Sequence, residues 1–320
     1  MTKFPPLDTT NLTVYSIKDR RSKVSHYHFA RPWSKDGSLA DFFDRLPDIL
    51  AAGDFRQAVN NIVRAVRDRR TIILAMGGHP VKVGLSPLII DLMRRGVISL
   101  LAVNGSVMVH DTEVAMIGST SEDVAATLGT GNFGMGREAN ELINTAAQEA
   151  RQSDIGLGQA LGRRLLSTAC PYGQHSLFAS AVSLDIPITV HVALGTDVYH
   201  IHPQADGAAI GQASMTDFRT FCAAVATLDH GVFINLGSAV IIPEVFLKAL
   251  TLVRNLGHPL PNLTTINMDF MRHYRPQVNI VQRPTLEGGQ GYYLIGHHEI
   301  MFPLLAAAVI ERIEEPLVHD

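Results

Sequence analysis

The chain has 320 residues, 46% of them hydrophobic and 18% charged, with a formal net charge of −3. That much apolar surface offsets chain entropy on burial and excludes wholesale disorder. The near balance of 27 basic against 30 acidic side chains leaves no footprint for nucleic acid or an anionic membrane, and two cysteines, Cys170 and Cys222, exclude a disulfide framework.

The first residues, MTKFPPLDTT, lack the basic start and apolar core of a signal peptide, and no apolar run approaches the ~20 residues of a membrane span. A cytoplasmic protein is expected. Residues 1–40, punctuated by Pro5, Pro6, Pro32 and Gly37, read as an N-terminal arm, and residues 41–320 as one α/β domain.

From Leu39 the pattern turns helical. In DFRQAVNNIVRAVRDRR (54–70), Phe55, Val59, Ile62, Val63 and Val66 form one stripe, and the arginines at its end suit the negative pole of the helix dipole. TIILAM (71–76) and VISLLAV (97–103) are apolar on both faces, as are IPITVHV (186–192), GVFINL (231–236) and LTTINM (263–268). Such runs predict strands of a parallel sheet covered on both sides. Helices are predicted between them at 137–152, 157–168, 175–184, 215–228, 243–256 and 297–313. The expected fold is therefore a doubly wound, mostly parallel Rossmann-like α/β sheet with a helical N-terminal extension.

In such sheets ligands bind outside the carboxyl ends of the strands, so the segments following them hold the candidate residues. After the first strand comes Gly77-Gly78-His79-Pro80-Val81-Lys82-Val83-Gly84, a glycine-rich loop entering a helix. Backbone N–H groups there suit an anion, with Lys82 to meet a phosphate, although neither GxGxxG nor GxxxxGK[ST] is present. Asn104-Gly105-Ser106 and the pair His110-Asp111 follow the second strand. Gly195-Thr196-Asp197 follows the third, and Gly237-Ser238 the fourth. His297 opens the last helix in Ile295-Gly296-His297-His298-Glu299.

Histidine is plentiful, 14 in all, and it is both the residue that titrates near neutrality and the commonest metal ligand. Were Tyr199–Pro203 extended, His200 and His202 would share a face and could chelate one metal with Asp197 or Asp206. Lysine is scarce: Lys3, Lys18, Lys23, Lys35, Lys82 and Lys248 are the full set. No GxSxG elbow or activated cysteine is present.

Several stretches together resemble deoxyhypusine synthase: DGSLADFFDRL, FRQAVNNIVRAVRDRR leading into TIILAM, PLIIDLMRRG, VISLLAVNGSVMVHDTEVAM, DIPITVHVALGTD, GVFINLGSAVI and MFPLLAAAVIE. The resemblance spans about residues 36–313. It implies a Rossmann-like fold, NAD as cofactor, and a homotetramer (or dimer) with sites shared between subunits. It also implies an aminobutyl transfer in which spermidine loses a hydride and an active-site lysine captures the imine.

The catalytic lysine is missing. Alignment from Arg275-Pro276 to Phe302-Pro303 puts Pro284 at the lysine position, and no lysine follows Lys248. Only an amine can form that Schiff base, so hypusine synthesis is not expected. In the same alignment His79, His110 and His297 stand at cofactor-contacting positions, His110 and His297 in place of acidic groups, while Asp197 is retained.

One reading is a deoxyhypusine-synthase-like protein that binds NAD or a related nucleotide through Gly77, Gly78, His79, Lys82, Asn104, Gly105, Ser106, Gly195, Thr196, Gly237 and Ser238. It would act on a small-molecule substrate with His110, Asp111, His297 and Asp197. A second is a metal-dependent hydrolase or lyase using a divalent ion such as Zn at His200 and His202. A third is a non-catalytic binding protein on the same fold.

Overall fold

The computed structural model of the chain describes residues 3–313; the end of the expected domain, residues 314–320, lies outside the described residues. From residue 3 to Ser38 the only regular structure is a 3-10 turn, His26–His28. Helix α1 (Leu39–Arg45) starts where Ser38 accepts from the Asp41 N–H and Asp41 reaches back to the Ser38 N–H, a reciprocal capping box. Helix α2 (Leu50–Arg67) buries the predicted stripe, including Phe55, Val59, Ile62 and Val63.

The chain then alternates. Strand β1 (Ile72–Met76) leads through the one-turn helix α3 (His79–Lys82) to α4 (Ser86–Arg94). Strand β2 (Leu100–Asn104) runs directly into α5 (Gly105–Ile117), followed by the short α6 (Val124–Thr127), α7 (Arg137–Ser153), α8 (Leu157–Ser167) and α9 (Leu177–Ser183). Strand β3 (Ile188–His191) precedes α10 (Gly207–Val225), and β4 (Val232–Leu236) precedes α11 (Ile241–Asn255). Strand β5 (Thr264–Asp269) is followed by α12 (Tyr274–Pro276) and a π-helical turn, Gln277–Gln282. Strand β6 (Gln290–Ile295) and α13 (His298–Ile313) complete the described chain.

The six strands form one all-parallel sheet in the order β3-β2-β1-β4-β5-β6. The doubly wound α/β fold is thus present. Strands β1 and β4 are buried along their whole length, which explains their unbroken apolar sequences. One sheet face, with Ile72, Leu74 and Met76, packs on α2, α4 and α13; the other, with Ile73, Ala75 and Phe233, packs on α10 and α11. The order reverses at β1, whose carboxyl end therefore opens a crevice between β1 and β4. Among the described residues no helix is long and apolar enough to cross a membrane.

Two elements differ from the sequence reading. Strand β6 is absent from it because Gln290-Gly291-Tyr292-Tyr293 is an edge segment, exposed at its start and without an apolar run. Helix α5, not among the predicted helices, begins at Gly105 directly after β2, and Asn104 caps it by accepting from the Val107 N–H.

Candidate functional site

A cavity of about 710 Å³ opens at the carboxyl ends of β1, β2 and β3. Its floor is the first turns of α5, with Ser106, His110 and Glu113, and Lys82 at the end of α3. Its roof is the segment from Ser119 to Gly136, with Glu122 and Phe133, and its far wall is Thr196, Asp197 and Val198. The roof is tied down by the Gly134 N–H donating to Glu122 at 2.9 Å and by Asn140 Nδ2 donating to the Gly134 carbonyl at 2.9 Å. Gly134, at φ 76°, passes so close to Val198 that a Cβ would sit 2.6 Å from its Cγ1.

Inside the cavity the polar groups are coupled. His110 Nδ1 lies 2.8 Å from Thr120 Oγ1, which donates in turn to Glu113. Burial pushes the Glu113 carboxyl up, but hydrogen bonds from His110 and Thr120 outweigh it and hold the group below its ordinary value. Asp197 behaves oppositely. Burial raises its carboxyl to about 6, only partly countered by Thr196 and by the charge of His110. One ionised and one readily protonated carboxyl flanking an imidazole is an arrangement suited to proton transfer.

Asp197 and the buried Tyr199 hydroxyl crowd the start of α5. A Cβ on Gly105 would lie 2.1 Å from Asp197 Oδ2 and 2.8 Å from the Tyr199 hydroxyl. That hydroxyl has no hydrogen-bond partner among the described residues, and burial followed by the nearby Asp197 charge raises its pKa. Likewise a Cβ on Gly78 would meet Ser106 Oγ at 2.6 Å and the His110 ring at 3.0 Å. The glycines expected to admit a ligand here serve close packing of protein groups.

The structure therefore brings together Lys82, Ser106, His110, Thr196 and Asp197, with Gly78 and Gly105 beneath them. Asp111 is elsewhere. It is buried, pointing away from the cavity to accept from Ser176 Oγ at 2.5 Å and the Leu177 N–H at 2.7 Å, where it holds the start of α9. Ser238 is also buried, capping α11 by accepting from the Ile242 N–H, and Gly77 and Gly237 abut one another across β1 and β4.

His297 is exposed and stacks on Phe270, with ring planes 7° apart. Its neighbour His298 is the buried one, bonded to His79. Pro284 is buried, and its carbonyl accepts from Arg254 near the end of α11, remote from the strand carboxyl ends.

The metal reading gains no support from the structure. Val198–Ile201 is a 3-10 turn rather than extended chain, and His200 Nδ1 accepts from the Gly195 and Asp197 N–H groups at 3.2 and 3.1 Å. His202 Nδ1 accepts from the Gln204 N–H. Among the described residues no group of three His, Cys, Asp or Glu side chains is placed to hold a metal.

Sequence reasoning missed Glu113, Thr120, Glu122, Phe133 and His298. Glu113 carried a signal, since it lies one helical turn after His110 on the same face once α5 is recognised as a helix.

No protein-family model matches the chain, and no curated protein matches it in sequence. Solved structures do resemble it in fold. An Entamoeba histolytica protein provisionally named a deoxyhypusine synthase superposes with a TM-score of 0.52 at 11% identity, covering 90% of this chain and 98% of that one. A Methanococcus maripaludis protein provisionally named LOR/SDH gives 0.50 at 14% identity, covering 88% and 72%. AgrE, solved with ornithine and NAD+, gives 0.51 at 12% identity over 84% of this chain. The chain spans only about a third, 35%, of the AgrE length. The fold is deoxyhypusine-synthase-like.

Proposed function

We propose that the protein binds NAD or a related nucleotide across the carboxyl edge of the sheet and acts on a small-molecule substrate. The observation that carries this reading is the cavity over β1, β2 and β3. It combines carboxylates (Glu113, Glu122, Asp197), one aromatic ring (Phe133) and one ammonium (Lys82) at the end of a sheet ordered 3-2-1-4-5-6.

In such sheets ligands sit outside the carboxyl ends of the strands, with acidic residues accepting from the ribose hydroxyls of a dinucleotide. Glu113 and Asp197 would take those hydroxyls, Phe133 would offer a face to the base, and Lys82 would meet a phosphate. These residues fit the group. Bound NAD+ supplies a hydride acceptor. The chain's own contribution is to orient the ligand, cover it with the 119–136 segment and hold a proton at Asp197 or His110. AgrE, with NAD+ in a fold of the same kind, supports the reading.

Lysine-based aminobutyl transfer is not part of this reading, because the resemblance leaves no lysine after Lys248 to form the imine. A homo-oligomer belongs to the same reading.

Titration with NAD+ followed by thermal unfolding tests it. A ligand at about a hundred times its Kd adds ~2.7 kcal/mol to stability, so a clear rise in Tm is expected, reduced in Lys82→Ala and Asp197→Asn. No shift with NAD+, NADP+ or ADP-ribose would overturn the proposal.

A further inference from the structure

On the β4 to β6 side of the crevice, outside the cavity, His79 Nδ1 and His298 Nδ1 lie 2.8 Å apart. His298 Nε2 lies 3.3 Å from the carbonyl oxygen of Met268, the penultimate residue of β5. A carbonyl only accepts, so Nε2 of His298 donates and carries the ring proton. Neutral His298 then offers Nδ1 as a lone pair, and the Nδ1–H of His79 must be the donor to it. The remaining nitrogen of His79, Nε2, is left as a bare acceptor.

The surroundings maintain this order. His298 is 1% exposed, whereas His79 is exposed and its Nε2 has no partner among the described residues. Burial holds His298 below the ordinary histidine value, against the opposing pull of Asp269, the Met268 carbonyl and Glu299. Gly237 makes the room, since at φ 70° a Cβ there would lie 2.6 Å from His298 Cε1. Phe270 flanks both imidazoles at 6.3 Å. His273 faces Asp269 at 3.7 Å, and His297 covers the other side of Phe270.

We propose that His79 is the proton acceptor for a small ligand seated at the β1–β4 switch point, with His298 and the Met268 carbonyl as the positioning relay that fixes its tautomer. The ligand class is a molecule carrying an alcohol or ammonium proton. In the step, the O–H or N–H bond breaks, its electron pair stays on oxygen or nitrogen, and the proton joins Nε2 of His79. The imidazolium so formed still donates through Nδ1 to His298. This site takes its ligand's location from the proposed function, being next to the cavity assigned to the nucleotide, but the relay itself does not depend on a bound cofactor.

The test uses the full chain without ligand. Histidine ¹⁵N NMR should show His79 as the Nδ1–H tautomer and His298 as Nε2–H. Diethyl pyrocarbonate, read by mass spectrometry as a function of pH, should modify His79 rapidly. Modification should slow severalfold in His298→Leu, because without an acceptor for its Nδ1–H the tautomer that exposes a bare Nε2 on His79 is no longer held. His298→Gln should restore the rate, because its amide oxygen accepts from His79 and its N–H donates to Met268. The opposite tautomer at His79, or equal rates in wild type and His298→Leu, would overturn the proposal. If His298→Leu does not fold, the wild-type tautomer and the His298→Gln rate decide it. Protection of His79 by added NAD+ reports separately on the cofactor site, so either idea can fail alone.

Discussion

The carboxylate of Asp197 occupies the space that a side chain at position 105 would need, with Oδ2 2.1 Å from where a Cβ on Gly105 would stand. The contact joins the carboxyl ends of β2 and β3 and puts an acid against the start of α5, where the helix dipole favours negative charge. Burial still prevails, raising the Asp197 carboxyl to about 6.

Gly105→Ala should therefore act through Asp197 rather than through the helix, in which alanine is intrinsically favourable. Displacing the carboxylate loses hydrogen bonds of a charged group, worth ~1.5–3 kcal/mol. NAD+ affinity by calorimetry should drop by about tenfold or more, with the far-ultraviolet dichroism unchanged. Unaltered affinity would show that Asp197 is not part of the binding surface.

Asp111 is a structural residue in the same way that its neighbour His110 is not. Asp111→Ala leaves Ser176 Oγ and the Leu177 N–H without their acceptor inside the protein. Unsatisfied buried donors cost ~1–3 kcal/mol each. Denaturant unfolding should show a loss of ~2–5 kcal/mol, while His110→Gln, lining the cavity, should change stability much less and ligand binding more.

Asp217 on α10 accepts from the Gly158 and Val190 N–H groups at 3.0 and 2.9 Å, tying α8 and β3 together, and burial raises its carboxyl to about 7. An unfolded chain releases that proton near the ordinary value of 3.8. Between these values the folded state binds more protons, so this residue's contribution is full below about pH 4 and is lost as pH rises to about 7, by at most ~1.4 kcal/mol per pH unit. Asn mimics the protonated carboxyl without titrating. The stability gap between wild type and Asp217→Asn should narrow from pH 5 to pH 8 in urea unfolding; a gap that widens contradicts the assignment.

Phe4, Leu7, Val14 and Ile17 on the N-terminal arm are at least 73% exposed. Apolar side chains gathered on one exposed segment signal a contact surface. Light scattering should report a dimer or tetramer, and removal of residues 1–30 should shift the mass toward the monomer. A monomeric mass for the full chain rejects the oligomer.

The sheet was legible because its central strands are buried on both faces and so are written as unbroken apolar runs, TIILAM and GVFINL among them. The edge strand β6 was not, since one side of it meets solvent and Gln290 and Gly291 carry no apolar pattern. At the site, the placement of His110, Lys82 and Asp197 followed from the rule that ligands meet the carboxyl ends of strands. The choice between His297 and His298 did not, because two consecutive residues at a helix start point about 100° apart and only the packing of α13 on Gly237 determines which is buried.

Composition and periodicity by themselves determined the class of protein, a doubly wound α/β chain; that no amine stands at the family's catalytic position is what the resemblance implied. Tertiary structure alone decided that Asp111 is a buried cap, that His200 and His202 spend their Nδ1 atoms on backbone N–H groups, and that His79 meets His298 across 219 positions of sequence. The physical reason is that apolar periodicity is a local property of each element. Where a polar side chain finds its partner depends on which elements the sheet order brings side by side.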